Sequence, residues 1–276
     1  MFTLNCKGQL LSLEKPVVMG ILNITPDSFH APSRSQTIRQ VLEKAGRMIE
    51  DGAAILDIGG QSTRPGSEWL DAETEWERLG DVLPKLSKVF PETILSIDTF
   101  HHTVAKRAVE AGASIVNDVS GGQLDAHMIP TVAALCVPFV CMHMKGTPQN
   151  MASMAVYDNL IAEMTDYYIE RIRLCKNEGI KDIILDPGFG FAKTGRLNFE
   201  LLQKIDAFQI LDCPLLLGIS RKSMITKTLG IPASEALNGS TVLHTIGLLK
   251  GANILRVHDV KEARQAIELV QAVQKG

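Results

Sequence analysis

Apolar residues along the chain fall into two alternating patterns. Short runs, near-continuous in Val, Ile and Leu, occupy Val17–Thr25, Ala54–Gly59, Ile94–Phe100, Ser114–Val119, Pro138–Met142, Ile183–Asp186, Pro214–Ser220 and Ile254–His258. Runs of this kind suit parallel strands covered on both faces. Helical spacing fills the gaps. Ile38, Val41, Leu42, Ala45, Met48 and Ile49 share one stripe, and Trp76, Leu79, Val82, Leu83, Leu86 and Val89 share another, which Pro84 should kink. A third segment, Tyr157 to Cys175, runs through Leu160, Ile161, Met164 and Tyr168 and stops near Gly179, a C-cap candidate; the last carries Ala263, Ile267, Val270 and Val273.

Eight strand–helix alternations predict an α/β fold, a (β/α)8 TIM barrel formed as a single domain over residues 1–276. A doubly wound open sheet permits the same alternation. The count of eight and the residues that close each strand favour the barrel. No strand leads into G-x-G-x-x-G, so dinucleotide binding is weakly supported. Gly188-Phe189-Gly190-Phe191-Ala192-Lys193-Thr194 superficially suggests a phosphate loop, but Pro187 and Ala192 stand where that motif requires glycines.

Composition narrows the partners. With 276 residues, 45% hydrophobic and 21% charged, the chain is ordinary globular protein, and 250 or so residues is a usual barrel length. A net charge of −3 sets up no positive field for nucleic acid or membrane, so small molecules are the expected partners. Cys6, Cys136, Cys141, Cys175 and Cys213 are scattered without a C-x-x-C pair, which suggests buried, reduced thiols in a cytoplasmic protein. Met1 to Glu14 shows no leader pattern, and no apolar stretch is long enough to predict a membrane span.

Barrel active sites collect side chains from the C-terminal ends of different strands. Here those ends offer Asn23, Asp57 with Gly59 and Gly60, Asp98, Asn117, His143, Asp186, Lys222, and finally Arg256 and His258. Taken singly, an Asp or Asn after a strand is more often a turn or cap residue. Eight strand ends all offering polar groups toward one mouth are harder to dismiss.

The local strings sharpen this. Met19-Gly20-Ile21-Leu22-Asn23-Ile24-Thr25-Pro26-Asp27-Ser28-Phe29 resembles the opening signature of the dihydropteroate synthases, and Asp57-Ile58-Gly59-Gly60-Gln61-Ser62-Thr63-Arg64-Pro65-Gly66 resembles their second. Ser96-Ile97-Asp98-Thr99, Asn117-Asp118-Val119-Ser120-Gly121, Met142-His143-Met144-Lys145-Gly146-Thr147-Pro148 and Asp186-Pro187-Gly188-Phe189-Gly190-Phe191 follow in family order. So do Gly218-Ile219-Ser220-Arg221-Lys222-Ser223 and Arg256-Val257-His258-Asp259, so the resemblance spans about Val17 to Val260.

The resemblance implies a transferase that joins a dihydropterin diphosphate to 4-aminobenzoate in folate synthesis. It implies a pterin pocket of Asp98, Asn117, Asp186 and Lys222. Those types are sensible, since carboxylates and an amide accept from a pterin's N–H groups while an ammonium donates to its acceptors. It implies a diphosphate site of Asn23, Thr63, Arg256 and His258, with Mg²⁺ bound at Asn23, and an aminobenzoate site of Thr63, Arg64, Pro65, Phe191, Lys222 and Ser223. Arg256, His258 and Lys222 are the expected catalytic residues, acting on a dissociative substitution in which diphosphate leaves before the arylamine attacks. The bland readings are an ion pair or loop cap for Asp98 and Asp186, a solvated charge for Lys222 and core packing for Phe191; His143 is expected to pack or hydrogen-bond. A homodimer packed through late helices and inhibition by sulfonamides also follow from the resemblance.

Two other readings stay open. A corrinoid-type folate methyltransferase also uses a pterin-binding barrel but has no use for a diphosphate site. A pterin-binding protein with altered catalysis draws support from departures: His30-Ala31-Pro32-Ser33 stands where the family has a Ser-Asp-Gly-Gly type loop, Gln61 where it has Glu, and Ala192 where Gly is common.

Overall fold

The computed structural model describes residues 1–24, 34–61, 69–147, 150–151 and 153–275. Eight parallel strands form one sheet: β3 (Val17–Asn23), β4 (Ala53–Gly59), β5 (Ile94–Asp98), β6 (Ile115–Asp118), β7 (Phe139–Met142), β8 (Ile183–Asp186), β9 (Leu216–Leu217) and β10 (Ile254–Val257). Their order is β8-β7-β6-β5-β4-β3-β10-β9, and a parallel bridge between Leu185 and Leu215 brings the two edges together. The expected barrel is therefore present. Its seventh strand is the shortest, two residues against the longer apolar run that predicts it.

An element not anticipated from the apolar pattern precedes the barrel. Strands β1 (Thr3–Cys6) and β2 (Gln9–Ser12) form an antiparallel hairpin. Leu4, Cys6 and Leu13 pack against Met19, Ile55, Ile94, Ile115, Val140, Ile184, Leu216 and Ile254, one inward side chain from each barrel strand. The hairpin thus seals the bottom of the barrel, opposite the strand ends that carry the polar groups. This burial also explains the near-continuous strand hydrophobicity: alternate residues face this inner layer, and the others meet the helices.

The helices are α1 (Arg34–Glu50), α2 (Ala72–Leu79), α3 (Val82–Val89), α4 (His102–Glu110), α5 (Met128–Leu135), α6 (Leu160–Glu178), α7 (Gly195–Gln203), α8 (Ser223–Leu229), α9 (Leu237–Leu249) and α10 (Val260–Lys275). The expected kinked helix is two helices, α2 and α3, divided at Gly80 and Asp81. Proline at 84 cannot donate to the Gly80 carbonyl and its ring crowds that group, so the break falls one turn upstream. Within α3, Pro84 sits in the first turn, where its missing N–H costs nothing. Helix α2 is capped by Asp71, whose carboxylate accepts from the Thr74 N–H at 2.9 Å. Helix α6 starts after Tyr157 and ends as expected at Gly179, which has φ of 99°. Val89 and Val273, expected on buried stripes, are exposed, and so is Cys136, the left-handed residue closing α5. The other four cysteines are buried, and all five are free thiols.

Candidate active site

Strand register puts the polar strand ends in a row. Asn23 lies beside Gly59, Gly59 beside Asp98, and Asp98 beside Asn117 across four adjacent strands. Gly59 sits between Asn23 and Asp98, where an added Cβ would make ordinary contact with the Asp98 Cβ at 3.4 Å and the Asn23 Oδ1 at 3.7 Å. Met142 pairs with Asp186 on the far side, placing Asp186 at the same mouth.

Arg256, from the last strand, reaches into this row. Its Nε donates to Asp57 Oδ2 at 2.6 Å and its Nη2 to Asp98 Oδ2 at 2.6 Å. Asn117 Nδ2 donates to the same Asp57 oxygen at 3.0 Å, so Asn117 is left presenting its carbonyl oxygen as an acceptor. Burial opposes the Arg256 charge, but Asp57 and Asp98 hold it firmly cationic. Burial is also the main influence on Asp98 and raises its pKa; Arg256 opposes the rise, and Asp57, Asp118 and Asp186 add to it. Residues assigned by the resemblance to two different parts of the substrate are thus directly bonded here.

Asp186 and Lys222 form the other wall. Asp186 Oδ1 accepts from the Gly188 N–H at 2.8 Å, and burial raises its pKa despite Lys222. Lys222 Nζ donates to the Phe189 carbonyl and stands 4.8 Å from the Phe191 ring centroid, a cation–π distance. Burial lowers Lys222 to about 8, and Asp186 works against that shift. Phe191 packs into a small apolar cluster at the mouth with Phe100, Val119, Met142 and Met144. Ser223 is the first residue of α8, directly after Lys222.

His258 stands at the rim, where its backbone N–H donates to Ser220 Oγ at 3.2 Å. Loss of water on its protein side, with the Arg256 and Lys44 cations nearby, lowers it to about 4. It is neutral at physiological pH and can donate one ring N–H. Next to it, Asp259 binds Arg221 at two points.

The structure therefore brings Asn23, Asp98, Asn117, Asp186, Lys222, Phe191, Ser223, Arg256 and His258 to the C-terminal mouth of one barrel. Thr63, Arg64 and Pro65, and the divergent His30–Ser33 segment, lie outside the described residues. His143 is a buried hydrogen-bonding residue, as expected, with its Nδ1 3.0 Å from Lys193 Nζ. Asp118 caps its own loop through Ser120 and Gly122. Two residues of this site carry roles that the sequence pattern does not assign. Asp57 was visible as a strand-end carboxylate, but its task of holding Arg256 and Asn117 depends on contacts 199 and 60 residues apart in sequence. Lys193 was visible only inside the rejected phosphate-loop string.

For a metal, no group of three or more His, Cys, Asp or Glu among the described residues could form a cage. The Asn23 amide oxygen is nevertheless a hard donor of the type Mg²⁺ takes, and Mg²⁺ commonly binds through one or two protein oxygens plus phosphates and water. The donor chemistry fits an ion that arrives with a diphosphate.

Comparison with known proteins agrees with this geometry. The pterin binding enzyme family matches residues 19–258. The dihydropteroate synthase of Escherichia coli K12 is 40% identical over 272 residues, covering 96% of this chain and 94% of that protein. The crystal structure of Yersinia pestis dihydropteroate synthase in complex with a sulfonamide drug superposes with a TM-score of 0.93 at 37% identity over 100% of both chains. That of Xanthomonas albilineans dihydropteroate synthase in complex with 7,8-dihydropteroate gives 0.90 at 35% identity, again over 100% of both. On sequence and fold, this chain belongs to the pterin-binding enzyme family and, within it, to the dihydropteroate synthases, which are transferases.

Proposed function

We propose that this enzyme condenses (7,8-dihydropterin-6-yl)methyl diphosphate with 4-aminobenzoate, giving 7,8-dihydropteroate and diphosphate. The observation that carries the reading is the convergence of Asp98, Asn117 and Asp186 as acceptors with Lys222 and Arg256 as cations at one barrel mouth. Acceptors on one wall suit the N–H groups of a pterin edge, and Lys222 suits its acceptors. Arg256 and His258, with Asn23 and Thr63, would take the diphosphate, and the planar guanidinium suits phosphate oxygens. Phe191, Arg64 and Pro65 would flank the aminobenzoate ring, with Thr63, Lys222 and Ser223 near its carboxylate.

In this reading the carbon–oxygen bond to diphosphate breaks first, and the pterin ring shares the resulting positive charge. The arylamine lone pair then forms the carbon–nitrogen bond and its proton is released. Arg256 and His258 stabilise the departing charge, while the pterin wall fixes the methylene before the amine. Mg²⁺, held by Asn23 and the diphosphate, would further neutralise the leaving group. A neutral arylamine is already a nucleophile, so no side chain is assigned as general base.

A homodimer is part of the proposal, supported by Val242, Ile246 and Leu249, which expose one apolar face of α9. A reducing, cytoplasmic setting is supported by the five free thiols. No described helix is long and apolar enough to cross a membrane.

The test is turnover. The purified chain, supplied with the pterin diphosphate, 4-aminobenzoate and Mg²⁺, should form dihydropteroate and equimolar diphosphate, and sulfonamides should compete with aminobenzoate. Tight pterin binding without turnover would favour the catalytically altered binder. Omitting aminobenzoate should leave slow diphosphate release; none at all would count against early bond breaking.

A further inference from the structure

The segment from Asp186 to Thr194, which follows β8 at the barrel mouth, is built in an unusual way. Gly188, Gly190 and Ala192 all have positive φ, at 63°, 81° and 47°. These turns aim the Gly188 and Phe191 carbonyls at Lys193 and the Phe189 carbonyl at Lys222, in backbone conformations that non-glycine residues rarely adopt. Two buried polar side chains hold it here, and neither belongs to the pterin, diphosphate or aminobenzoate residues named above.

Lys193 is the first. Its ammonium lies 3.0 Å from the Phe191 carbonyl, 3.2 Å from that of Gly188, 3.4 Å from that of His143 and 3.0 Å from His143 Nδ1. All four partners are neutral, and the residue is only 7% exposed. Burial lowers its pKa to about 7, and in either protonation state the Nζ donors act as a central pin that three backbone carbonyls wrap around. Asn198 is the second. Its Oδ1 accepts from the Gly190 N–H at 2.7 Å, and its Nδ2 donates to the Lys193 and Thr194 carbonyls at 3.0 and 2.8 Å.

What the pinned segment presents on its other side is Lys222. The Phe189 carbonyl accepts from Lys222 Nζ, the Phe191 ring stands over it, and a Cβ on Gly190 would sit 3.5 Å from Lys222 Cδ. Three consecutive residues of the segment thus shape the seat of Lys222. The rest of the pterin wall is fixed independently: Asp98 and Asn117 are held by strand register and by Arg256 and Asp57.

We propose that Lys193 and Asn198 are positioning residues that set the aminobenzoate side of the pocket, by holding the Gly188–Phe191 backbone so that Phe191 and Lys222 face the second substrate. This deepens the reaction proposed above and rests on it. Buried neutral acceptors left without a donor would pull the segment out of its left-handed turns, moving the Phe191 ring and Lys222 together.

Lys193→Met keeps the length of the side chain and removes every donor, and Asn198→Ala removes the second clamp. Each should raise the KM for 4-aminobenzoate about tenfold or more and the KM for the pterin diphosphate by less, because Asp98 and Asn117 hold the pterin independently of the segment while Lys222 touches both substrates; loss of folded protein alone does not produce such a split. Hydrogen exchange, read on the unliganded proteins, should quicken at the Gly190 and Phe191 amides while those of β4 to β6 keep their protection. The second variant decides the matter if the first is insoluble. Unchanged exchange together with an unchanged aminobenzoate KM overturns the proposal, as does a rise in both KM values in equal proportion. Failure of the wild-type protein to make dihydropteroate would sink the reaction instead, leaving the exchange measurement to decide the role of Lys193.

Discussion

Asp57 and Arg256, 199 positions apart in sequence, meet at 2.6 Å beneath the mouth of the barrel, with Asp57 wholly buried. The same carboxylate oxygen receives the Asn117 amide. One side chain therefore orients both a pterin acceptor and the arginine that would face the diphosphate. Asp57→Ala should lower kcat/KM by about 10²-fold, the scale of a misplacement of about 1 Å at a reacting centre. It should also lower the melting temperature, because removing one member of a buried pair strands the other. Asp57→Asn keeps an acceptor and should lose less of both. Steady-state kinetics beside thermal melts check the ranking, and equal losses for the two variants would show that charge alone matters.

The Arg221–Asp259 pair ties together two other segments of the site. Nε and Nη2 of Arg221 each bind one Asp259 oxygen at 2.8 Å, and Nη1 binds the Ala233 and Ser234 carbonyls. Arg221 itself is left-handed, with φ of 55°, and directly precedes Lys222; Asp259 directly follows His258. A two-point charged pair, partly buried, is among the stronger polar contacts available. Asp259→Ala should cost about tenfold or more in kcat/KM by loss of that pair. Both KM values should rise, in contrast to the selective effect expected at Lys193. Separate titrations of the two substrates distinguish these patterns.

Glu75 predicts a pH effect on stability. It is fully buried on α2, with Thr99 Oγ1 donating to Oε2 at 2.9 Å and Oε1 without a partner among the described residues. Burial raises its pKa to about 8, with the Thr99 hydrogen bond opposing the shift. The folded protein therefore keeps a proton that the unfolded chain, near 4.5, has released. Between those two values stability falls as pH rises, because the native state binds more protons than the unfolded one. Glu75→Gln should flatten the melting temperature between about pH 5 and 8, the window set by this shift. Parallel wild-type and variant curves would show that the carboxyl does not titrate there.

Ala192 occupies a left-handed turn at φ of 47°. A Cβ in that conformation costs about 1–2 kcal/mol, part of which glycine's extra unfolded-state freedom cancels. Ala192→Gly should raise stability by up to about 1 kcal/mol, or some 2–4 °C in melting temperature for a chain of this size. Activity should stay near wild type, since the Tyr157 hydroxyl still meets the carbonyl of residue 192. A lower melting temperature would mean that the buried methyl contributes more through packing than its backbone costs.

The order of strands and helices was legible in the residues because a barrel strand buries both faces, which writes an unbroken apolar run into the chain. Its polar ending was legible too, so Asn23, Asp98, Asn117, Asp186, Lys222, Arg256 and His258 could be named as a group. Pro84 announced a break in the second helix, although it falls at Gly80, where the missing hydrogen bond would have ended. Beyond that, local pattern carried no information. The hairpin that seals the barrel floor alternates polar and apolar residues over only four positions in its first strand, too few to stand out, and Cys136 is exposed at the left-handed end of its helix. Which carboxylate receives Arg256, and that the lysine of a discarded phosphate-loop string pins three carbonyls, depended on strand register and closure of the sheet. Periodicity reports only whether a side chain meets water or protein; which partner it meets is set when segments far apart in sequence are brought together.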